Sequence, residues 1–350
     1  ALVSVGKDVG ERVGLVPAAE RLGGGREGVG QREVPPLRDG GELREFALGD
    51  ALGDAIEERH GLRRVRLRAE EGRDAVLGRI VDGVKEACDI AGVPLEKIHA
   101  VGMGAPGPVD PGTGIVLEAV NLRWTNEPIA QLLGDTLGKP VYLDNDVNVA
   151  VYGEWKAGAG RGATHLMGAW VGTGVGGGLV LDNKIYYGHH LTAGEVGHMI
   201  LMPHSPPGLR SVEHNCSRTA MCNRVRQLIE AGRDSIVPEL VDGKLHKIKS
   251  KTIAEAYAKD DKLVVDVVHD AAWRLGTMLA GITTLLSLEK IILGGGLTEA
   301  IGEKWVERVR SAVHIHAFPE VCKSVEVVAS ELEDNAGVIG AALIAQERCD

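Results

Sequence analysis

The chain has little of three features that mark particular classes of protein. Its five cysteines are an odd number with no C-x-x-C spacing, which gives no sign of a disulfide framework. Lys and Arg number 39 against 49 Asp and Glu, and the net charge of −10 disfavours nonspecific binding to nucleic acid or anionic membrane. No signal-peptide pattern and no run of 18 apolar residues is found. These absences predict a reduced, cytoplasmic protein with no nucleic-acid or membrane partner.

The overall composition is ordinary except for an unusually high glycine content. The 350 residues are enough for two domains with a substantial core. Hydrophobic residues make up 44% and charged residues 25%, as in globular proteins generally. Glycine occurs 48 times, about twice its usual share of ~7%. We therefore ask which of these glycines stand in loops that could meet a ligand.

Residues 169–213 carry the most informative pattern. An apolar run at 169–171 predicts a buried strand, and it opens directly into the sequence GTGVGGG at residues 172–178. A second apolar run at 179–181 and the turn dipeptide Asp182-Asn183 predict a hairpin. A glycine loop between paired strands lets backbone N–H groups approach phosphate oxygens with no Cβ in the way.

Polar side chains follow the glycine loop in the same stretch. Glu195, His198 and Glu213 are suited to holding a hydroxylated substrate. A phosphate-binding loop beside a cluster that binds hydroxyl groups is the combination that a sugar kinase needs.

The N-terminal part of the chain gives the weakest signal. Residues 2–5 predict a strand that enters a turn at 6–10, and residues 13–16 predict the returning strand. Residues 20–30 have neither helical nor strand period and predict a loop. The basic run at 63–68 is interpreted as a solvated face, given the acidic chain.

From residue 98 onward, predicted strands and helices alternate, which indicates an α/β fold. The predicted strands lie at 99–103, 141–143, 289–293 and 325–328. The predicted helices lie at 75–91, 129–137, about 146–157, 213–231, 263–288, 299–313 and from 335 onward. Ligands in such sheets collect at the carboxyl ends of the strands, where most of the glycine and polar turns fall.

One carboxylate stands at a predicted strand-to-helix junction. The run DNDVN at residues 144–148 puts Asp146 where it could accept the proton of a sugar hydroxyl as the oxygen attacks phosphorus. Plain helix capping is the alternative interpretation of this run, although one cap does not require four polar residues in five. The loop at 172–178 would hold the β- and γ-phosphates. Gly294, Gly295 and Gly296, at a predicted helix start, would meet the nucleotide through backbone groups and the helix dipole.

Taken together and in this order, the motifs resemble the ROK family of bacterial sugar kinases and sugar-responsive repressors. The resemblance runs from about residue 101 to residue 346. It rests on the following segments: GMGAPGPVD (102–110), NLRW (121–124), LDNDVNVAVYGE (143–154), GTGVGGG (172–178), AGEVGH (193–198), VEHNCSRTA (212–220), ILGGG (292–296) and NAGVIGAA (335–342).

The resemblance implies two actin-like (ribonuclease H-like) α/β lobes with a sugar and ATP cleft between them. The small lobe would comprise residues 1–140, completed by the C-terminal helix at about 336–350, and the large lobe residues 141–335. It implies ATP and Mg²⁺, a hexose substrate with glucose favoured, and a homodimer. Asp146 is the expected catalytic base. The expected sugar contacts are Asn121, Asn145, Glu195, His198 and Glu213, and the expected phosphate or nucleotide contacts are Asp8, Gly10, Gly172, Thr173, Gly174, Gly294, Gly295 and Gly296.

Two departures from the family pattern change the expectations. The family usually binds zinc through the His of E-x-G-H and three cysteines, but His204, Pro206 and Ser211 stand where those cysteines would be. Proline offers no ligand and serine a poor one, so a structural zinc is not expected although His198 is retained. The family's N-terminal D-x-G-G-T turn survives here only as Asp8-Val9-Gly10, followed by glutamate and arginine.

Several functions remain as alternatives. The first is an ATP-dependent hexokinase of the glucokinase type. The second is a sugar-binding pseudokinase or sensor with impaired use of ATP, since a carboxylate at Glu11 would face phosphate charge. A repressor would need a helix-turn-helix segment that residues 1–60 do not show. A dinucleotide site lacks the acidic residue about 20 positions downstream and leaves Asp146 without a role. The preferred hexose, the choice between ATP and polyphosphate, and the oligomeric state are left open.

Overall fold

The computed structural model describes the backbone of residues 2–4, 12–14, 63–64 and 69–349, with side chains from residue 69 onward. The predicted turn at 6–10 and the predicted loop at 20–30 lie outside the described residues. The two short strands flanking that turn are present at Leu2–Ser4 and Arg12–Gly14, and they pair antiparallel as predicted.

The elements are numbered in chain order. The strands are β1 Leu2–Ser4, β2 Arg12–Gly14, β3 Arg63–Arg64, β4 Val101–Ala105, β5 Val109–Asp110, β6 Ile115–Ala119, β7 Trp124–Glu127, β8 Val141–Asn145, β9 Leu166–Val171, β10 Val175–Leu181, β11 Lys184–Ile185, β12 Lys290–Gly294 and β13 Glu326–Ala329. The helices are α1 Arg73–Ala91, α2 Ile129–Leu137, α3 Asp146–Ala157, α4 Val212–Cys216, α5 Arg218–Glu230, α6 Val237–Leu240, α7 Ser250–Ala258, α8 Lys262–Leu286, α9 Gly296–Ile301, α10 Glu303–His316 and α11 Ala336–Cys349.

Two five-stranded sheets share one strand order. The first runs β3-β2-β1-β4-β8 and the second β11-β10-β9-β12-β13. In each sheet the second strand returns antiparallel to the first, and two later strands join the other side in parallel. A small antiparallel sheet, β5-β6-β7, follows β4 in the chain. The repeated order, with helices between the parallel strands, is an α/β architecture of two similar halves.

Each large sheet has its own apolar core. In the first half, residues of α1 and α2 such as Ile80 and Leu133 pack on Met103 and Leu143 of the sheet. In the second half, α8 and α10 cover β9, β12 and β13, with Trp305 fully buried. The amphipathic pattern at 75–91 and the strongly apolar stretch at 263–288 predict α1 and α8, and both are found within three residues of the predicted bounds.

Two predicted helices are each divided in two. The segment predicted as one helix over 213–231 breaks between α4 and α5, because Ser217 is extended at φ −71° and ψ 156° and its side chain caps α5 by accepting from Ala220 N. The helix predicted over 299–313 breaks at Gly302, whose φ of 73° ends α9 and begins α10. The sequence predictions include neither break.

The helices α3 and α11 join the two halves. Helix α3 follows β8 of the first sheet and packs against β10 of the second. Helix α11 follows β13 of the second sheet and packs against β4 and β1 of the first. The two helices cross where Gly153 faces Gly340, and a Cβ on Gly153 would lie 2.5 Å from the carbonyl oxygen of Ala336. Their backbones are therefore in direct contact at the crossing.

The sheet pairing also bears on where the halves divide. Strand β8 pairs in parallel with β4, so it belongs to the first sheet. The predicted boundary between residues 140 and 141 would separate β8 from that sheet. We infer that the division follows Asn145, at the start of α3. Across the helices that the structure describes, none combines the length and the apolar character needed to cross a bilayer.

Candidate active site

The glycine motif at 172–178 divides between a turn and a strand. Strands β9 and β10 form a hairpin in which Val171 pairs with Val175, and Gly172 N donates to Gly174 O at 2.9 Å. Only residues 172–174 form the turn, so the prediction of a loop over 172–178 is wrong in its second half. Glycine is needed in β10 because a Cβ on Gly176 would lie 2.6 Å from Val147 Cγ2 of α3.

The start of α5 holds the turn at 172–174 in place. Arg218 N donates to Gly172 O at 3.0 Å, and Thr219 Oγ1 donates to the carbonyl oxygen of Thr173 at 2.8 Å. The guanidinium of Arg218 also donates to Thr173 Oγ1. The sequence analysis assigned no role to Arg218. Its position in the segment VEHNCSRTA, which carries Glu213, is the signal that could have drawn attention to it.

Glu213 lies on the same turn. Ser211 caps α4 by accepting from His214 N, and this cap places Glu213 in the first turn of the helix. Glu213 Oε2 accepts from Val175 N at 3.1 Å and lies against Gly174. A predicted sugar contact and the predicted phosphate loop are thereby adjacent.

Glu195 and His198 join this group from the loop that precedes α4. Their closest carboxylate oxygen and imidazole nitrogen are 3.9 Å apart, and the His198 side chain is 70% exposed. A Cβ on Gly197 would lie 3.5 Å from Glu213 Cβ, so the short 3₁₀ turn Val196–His198 packs beside α4. Three of the five predicted sugar contacts therefore lie together at the start of β10.

Asp146 is the first residue of α3, at the carboxyl end of β8. Asn145 is the N-cap, and its Oδ1 accepts from Val147 N at 2.9 Å and from Asn148 N at 3.1 Å. Asn145 Nδ2 donates to Gly107 O at 2.9 Å. The capping interpretation of this segment is thus correct for Asn145, while Asp146 lies one residue further, half-buried at the edge of the sheet.

The contact between Val147 and Gly176 brings the helix that begins at Asp146 onto the strand that begins after the glycine turn. Asn121 lies elsewhere, on the exposed turn between β6 and β7. None of the hydrogen bonds found among the described residues joins Asn121 to the other predicted sugar contacts.

The second glycine motif lies beside the first. Strand β12 runs parallel to β9, with Gly294 opposite Trp170, and both strands end at the same edge of the sheet. Gly295 has a φ of 88°, and a Cβ there would lie 2.8 Å from Val171 O. Helix α9, which follows, has 6 residues and begins at Gly296. Asp8 and Gly10 lie outside the described residues.

The structure does not provide the ligands of a family-type zinc site. Ser211 is buried, and its Oγ is 2.7 Å from His214 Nδ1, so this oxygen already has a partner. Leu201 N and Met202 N both donate to Arg210 O, which closes the loop at 201–211. Within residues 69–349, no cluster of three His, Cys, Asp or Glu side chains is arranged to hold a metal ion. The absence of zinc stays a prediction.

The fold and the comparisons with known proteins agree on the class. Two lobes with the same strand order, and glycine turns and polar side chains at the strand ends, define an actin-like α/β protein of two lobes. The model of the ROK family matches residues 38–348, and the chain belongs to that family.

Both kinases and repressors are among its relatives. The chain is 33% identical to the glucokinase of Thermotoga maritima over 284 residues, which are 80% of this chain and 87% of the relative. It is 27% identical to a putative xylose repressor of Caldicellulosiruptor, over 84% of this chain and 73% of the relative. Among solved structures, a ROK glucokinase of Streptomyces griseus in complex with glucose and AMPPNP superposes with a TM-score of 0.73 at 29% identity, covering 82% of this chain and 91% of that one.

Proposed function

We propose that the protein transfers the terminal phosphoryl group of ATP to a hydroxyl of a hexose, with glucose as the favoured substrate. The observation that carries the proposal is the convergence at the start of β10, where the turn at 172–174, Glu213 and Gly197 meet the helix that begins at Asp146. Likeness to glucokinases, and to a structure that contains glucose and AMPPNP, supports the choice of substrates.

In the proposed reaction, Asp146 accepts the proton of the attacking sugar hydroxyl, a bond forms between the sugar oxygen and the terminal phosphorus, and the bond to ADP breaks. Glu195, His198 and Glu213 would bind the other hydroxyl groups and orient the sugar. The backbone N–H groups of the turn at 172–174 would hold the phosphates, and Gly294, Gly295 and Gly296 would hold the nucleotide. Mg²⁺, when bound, would neutralise phosphate charge; Asp8, a predicted phosphate or nucleotide contact, lies outside the described residues.

A sugar-responsive regulator that does not transfer phosphate is the second candidate. The similarity to xylose repressors favours it, because those relatives cover most of this chain. The altered residues after Gly10, where the family pattern has a phosphate-binding turn, also favour it. Such a protein would keep the sugar contacts and lose the turnover.

The deciding experiment supplies the purified protein with glucose and Mg-ATP and follows glucose 6-phosphate in a coupled assay. Turnover near or above about 1 s⁻¹, the low end of the ordinary range for enzymes, is the expected result. Absence of turnover together with a glucose-dependent rise in melting temperature would favour the regulator. Repeating the assay with polyphosphate would establish the donor, and following ADP release with glucose, mannose and N-acetylmannosamine would establish the preferred sugar.

A further inference from the structure

Strand β8 ends in a buried carboxylate that the proposed reaction does not use. Asp144 is 1% exposed and lies two residues before Asp146. Its Oδ1 accepts from Asn145 N at 2.7 Å and from Asn148 Nδ2 at 3.3 Å. Its Oδ2 accepts from the hydroxyl of Tyr187 at 2.6 Å. Burying a carboxylate costs several kcal/mol unless its oxygens find partners, and here both oxygens have them.

The partner on Oδ2 comes from the other sheet. Tyr187 follows β11, the edge strand of the second sheet, while Asp144 belongs to the first. The carbonyl oxygen of Tyr187 accepts from Ala193 N at 3.0 Å, so Tyr187 closes the base of the loop at 187–193. Glu195 and His198 follow directly after that loop. One hydrogen bond therefore connects the segment of the expected base with the segment of two expected sugar contacts.

The C-terminal helix adds a third segment at the same point. Arg348 Nη2 lies 3.9 Å from Asp144 Oδ2, and Arg348 Nη1 donates to Pro111 O at 2.7 Å. The hydroxyl of Tyr142 donates to the carbonyl oxygen of Arg348 at 2.9 Å. Helix α11 and the turn after β5 are thus fastened to the end of β8, which fixes the first sheet's side of the connection.

Burial and the neighbouring carboxylate of Asp144 keep the tyrosine protonated. Burial raises the pKa of Asp144, while hydrogen bonds from Tyr187, Asn145 and Asn148 and the charge of Arg348 act in the opposite direction. Burial, together with the charge and the hydrogen bond of Asp144, raises the pKa of Tyr187. Tyr187 therefore remains a hydrogen-bond donor across the neutral range.

We propose that the hydrogen bond from Tyr187 to Asp144 holds the segment with Glu195 and His198 at a fixed distance from Asp146, so that Asp144 and Tyr187 act as positioning residues. The proposal rests on the proposed function for its kinetic consequence. A sugar bound by one segment must present its hydroxyl to a base on the other. Displacements of about 1 Å between reacting groups can cost on the order of 100-fold in rate.

The first test removes the Tyr187 hydroxyl and nothing else. In Tyr187→Phe we expect kcat with glucose to fall about ten-fold, part of the range that such displacements cover. KM for ATP should stay within about two-fold, because the glycine turns do not touch this bond. Tyr186→Phe is the matched control, since its ring is 48% exposed and the chemical change is the same one residue away. A kcat in Tyr187→Phe equal to that of Tyr186→Phe would overturn the proposal.

The second test asks whether a hydrogen-bond acceptor at position 144 is enough to preserve kcat. Asp144→Asn keeps an oxygen that can accept from Tyr187, whereas Asp144→Ala removes both oxygens. We expect Asp144→Asn to retain several-fold more kcat than Asp144→Ala, with both measured well below their melting temperatures. Equal loss in the two variants would assign Asp144 a role in stability alone and contradict the proposal.

A third measurement separates this proposal from the proposed function. Amide hydrogen exchange in Tyr187→Phe should become faster in residues 144–148 and in residues 187–198 together, with no such change in Tyr186→Phe. Unchanged exchange in residues 144–148 would overturn the connection even in an active enzyme. If the wild-type protein showed no turnover, the proposed function would fail, and the exchange result would still decide whether the hydrogen bond couples the two segments.

Discussion

At the scale of single residues, Asp146 owes its position to its neighbours. Asn145 caps α3 and is itself held by Gly107, so the first turn of the helix starts at a defined point beside the sheet. Side chains at the start of this helix face the strand that begins after the glycine turn, as the contact between Val147 and Gly176 records. The proposed base is therefore positioned by a cap and a close helix–strand contact.

Replacing Asp146 tests its role as base. Asp146→Asn keeps the size of the side chain but removes the proton acceptor, and we expect kcat to fall by about 10²–10⁴-fold. The dissociation constant for glucose, measured by calorimetry, should stay within a few-fold because the proposed sugar contacts Glu195, His198 and Glu213 remain. Asp135→Asn, on the exposed side of α2, serves as the control for loss of one charge. An unchanged kcat in Asp146→Asn would remove Asp146 from the mechanism.

Arg218 donates hydrogen bonds to the turn at 172–174 from its backbone N–H and from its guanidinium. If that turn holds phosphate, the guanidinium beside Thr173 should contribute to nucleotide affinity. We expect Arg218→Ala to raise KM for ATP by about ten-fold, within the energy of one charge-assisted hydrogen bond, and to leave glucose affinity unchanged. Arg226→Ala is the control, because it removes the same charge from the same helix and its guanidinium contacts only Asn223 in the pattern found there. Equal KM values for the two variants would count against a phosphate at this turn.

At the scale of elements, the crossing of α3 and α11 is the tightest helix contact described. A Cβ on Gly340 would overlap the carbonyl oxygen of Val149, which belongs to the backbone of α3 and cannot rotate away. Side chains at the crossing would therefore have to separate the helices. This contact depends on Gly153 and Gly340 lying opposite each other.

Gly340→Ala should lower the free energy of unfolding by about 1–3 kcal/mol, the usual range for overpacking. Gly281→Ala is the matched control, since Gly281 lies in the interior of α8 with open space where the Cβ would be. There the free energy of unfolding should rise by about 0.5–1 kcal/mol, because alanine favours the helix. Urea unfolding of both variants measures the two changes. Two changes of the same sign would contradict the account of the crossing.

The elements also show what the sequence could and could not predict. Short apolar runs predicted β4, β8, β12 and β13, and β4 and β12 are indeed buried along nearly their whole length. Amphipathic or apolar stretches predicted most helices. The prediction of a loop at 176–178 is wrong because these glycines belong to strand β10. A strand that packs closely against a helix and a loop that binds a ligand both favour residues without a Cβ, so the sequence alone does not distinguish them. The break at Ser217 comes from a local serine cap, which the prediction of one long helix overlooked. The bond from Tyr187 to Asp144 joins segments far apart in the chain, and no local sequence pattern predicts such a contact.

At the scale of the whole molecule, we ask whether the fold needs a metal to hold the loop at 201–211, where the family's zinc site would lie. Its backbone hydrogen bonds to Arg210 O and the contact between Ser211 and His214 hold it in the structure described. We expect dialysis against a strong chelator to leave the melting temperature and the glucose affinity unchanged. We expect elemental analysis to find no stoichiometric zinc. A zinc ion held in each chain through dialysis would contradict this expectation.

The stability of this loop should instead depend on Ser211, the N-cap of α4. Ser211→Ala removes the cap of α4 and the partner of His214, and caps of this kind contribute about 1 kcal/mol. The free energy of unfolding should fall by that amount in urea. Ser205→Ala, in the same loop, is the control, because Arg210 Nε donates to the Ser205 carbonyl oxygen, which the substitution leaves in place. A destabilisation of equal size in both variants would argue against the cap.

The exchange of helices between the two halves has a consequence for how the chain could be divided. Helix α3 packs on β10 and β9 of the second sheet as well as on β4 and β8 of the first, and α11 follows the second sheet but covers the first. The second half, cut out alone, would carry α11 with no sheet to cover and would lack α3 on β10, and the first half would lack α11 on β4 and β1. Two separately expressed fragments, 1–157 and 158–350, would therefore be expected to recognise each other and reassemble, as the halves of a split reporter protein do. Each half depends on a helix from the other half to complete its packing, so we expect the two halves to fold as one unit.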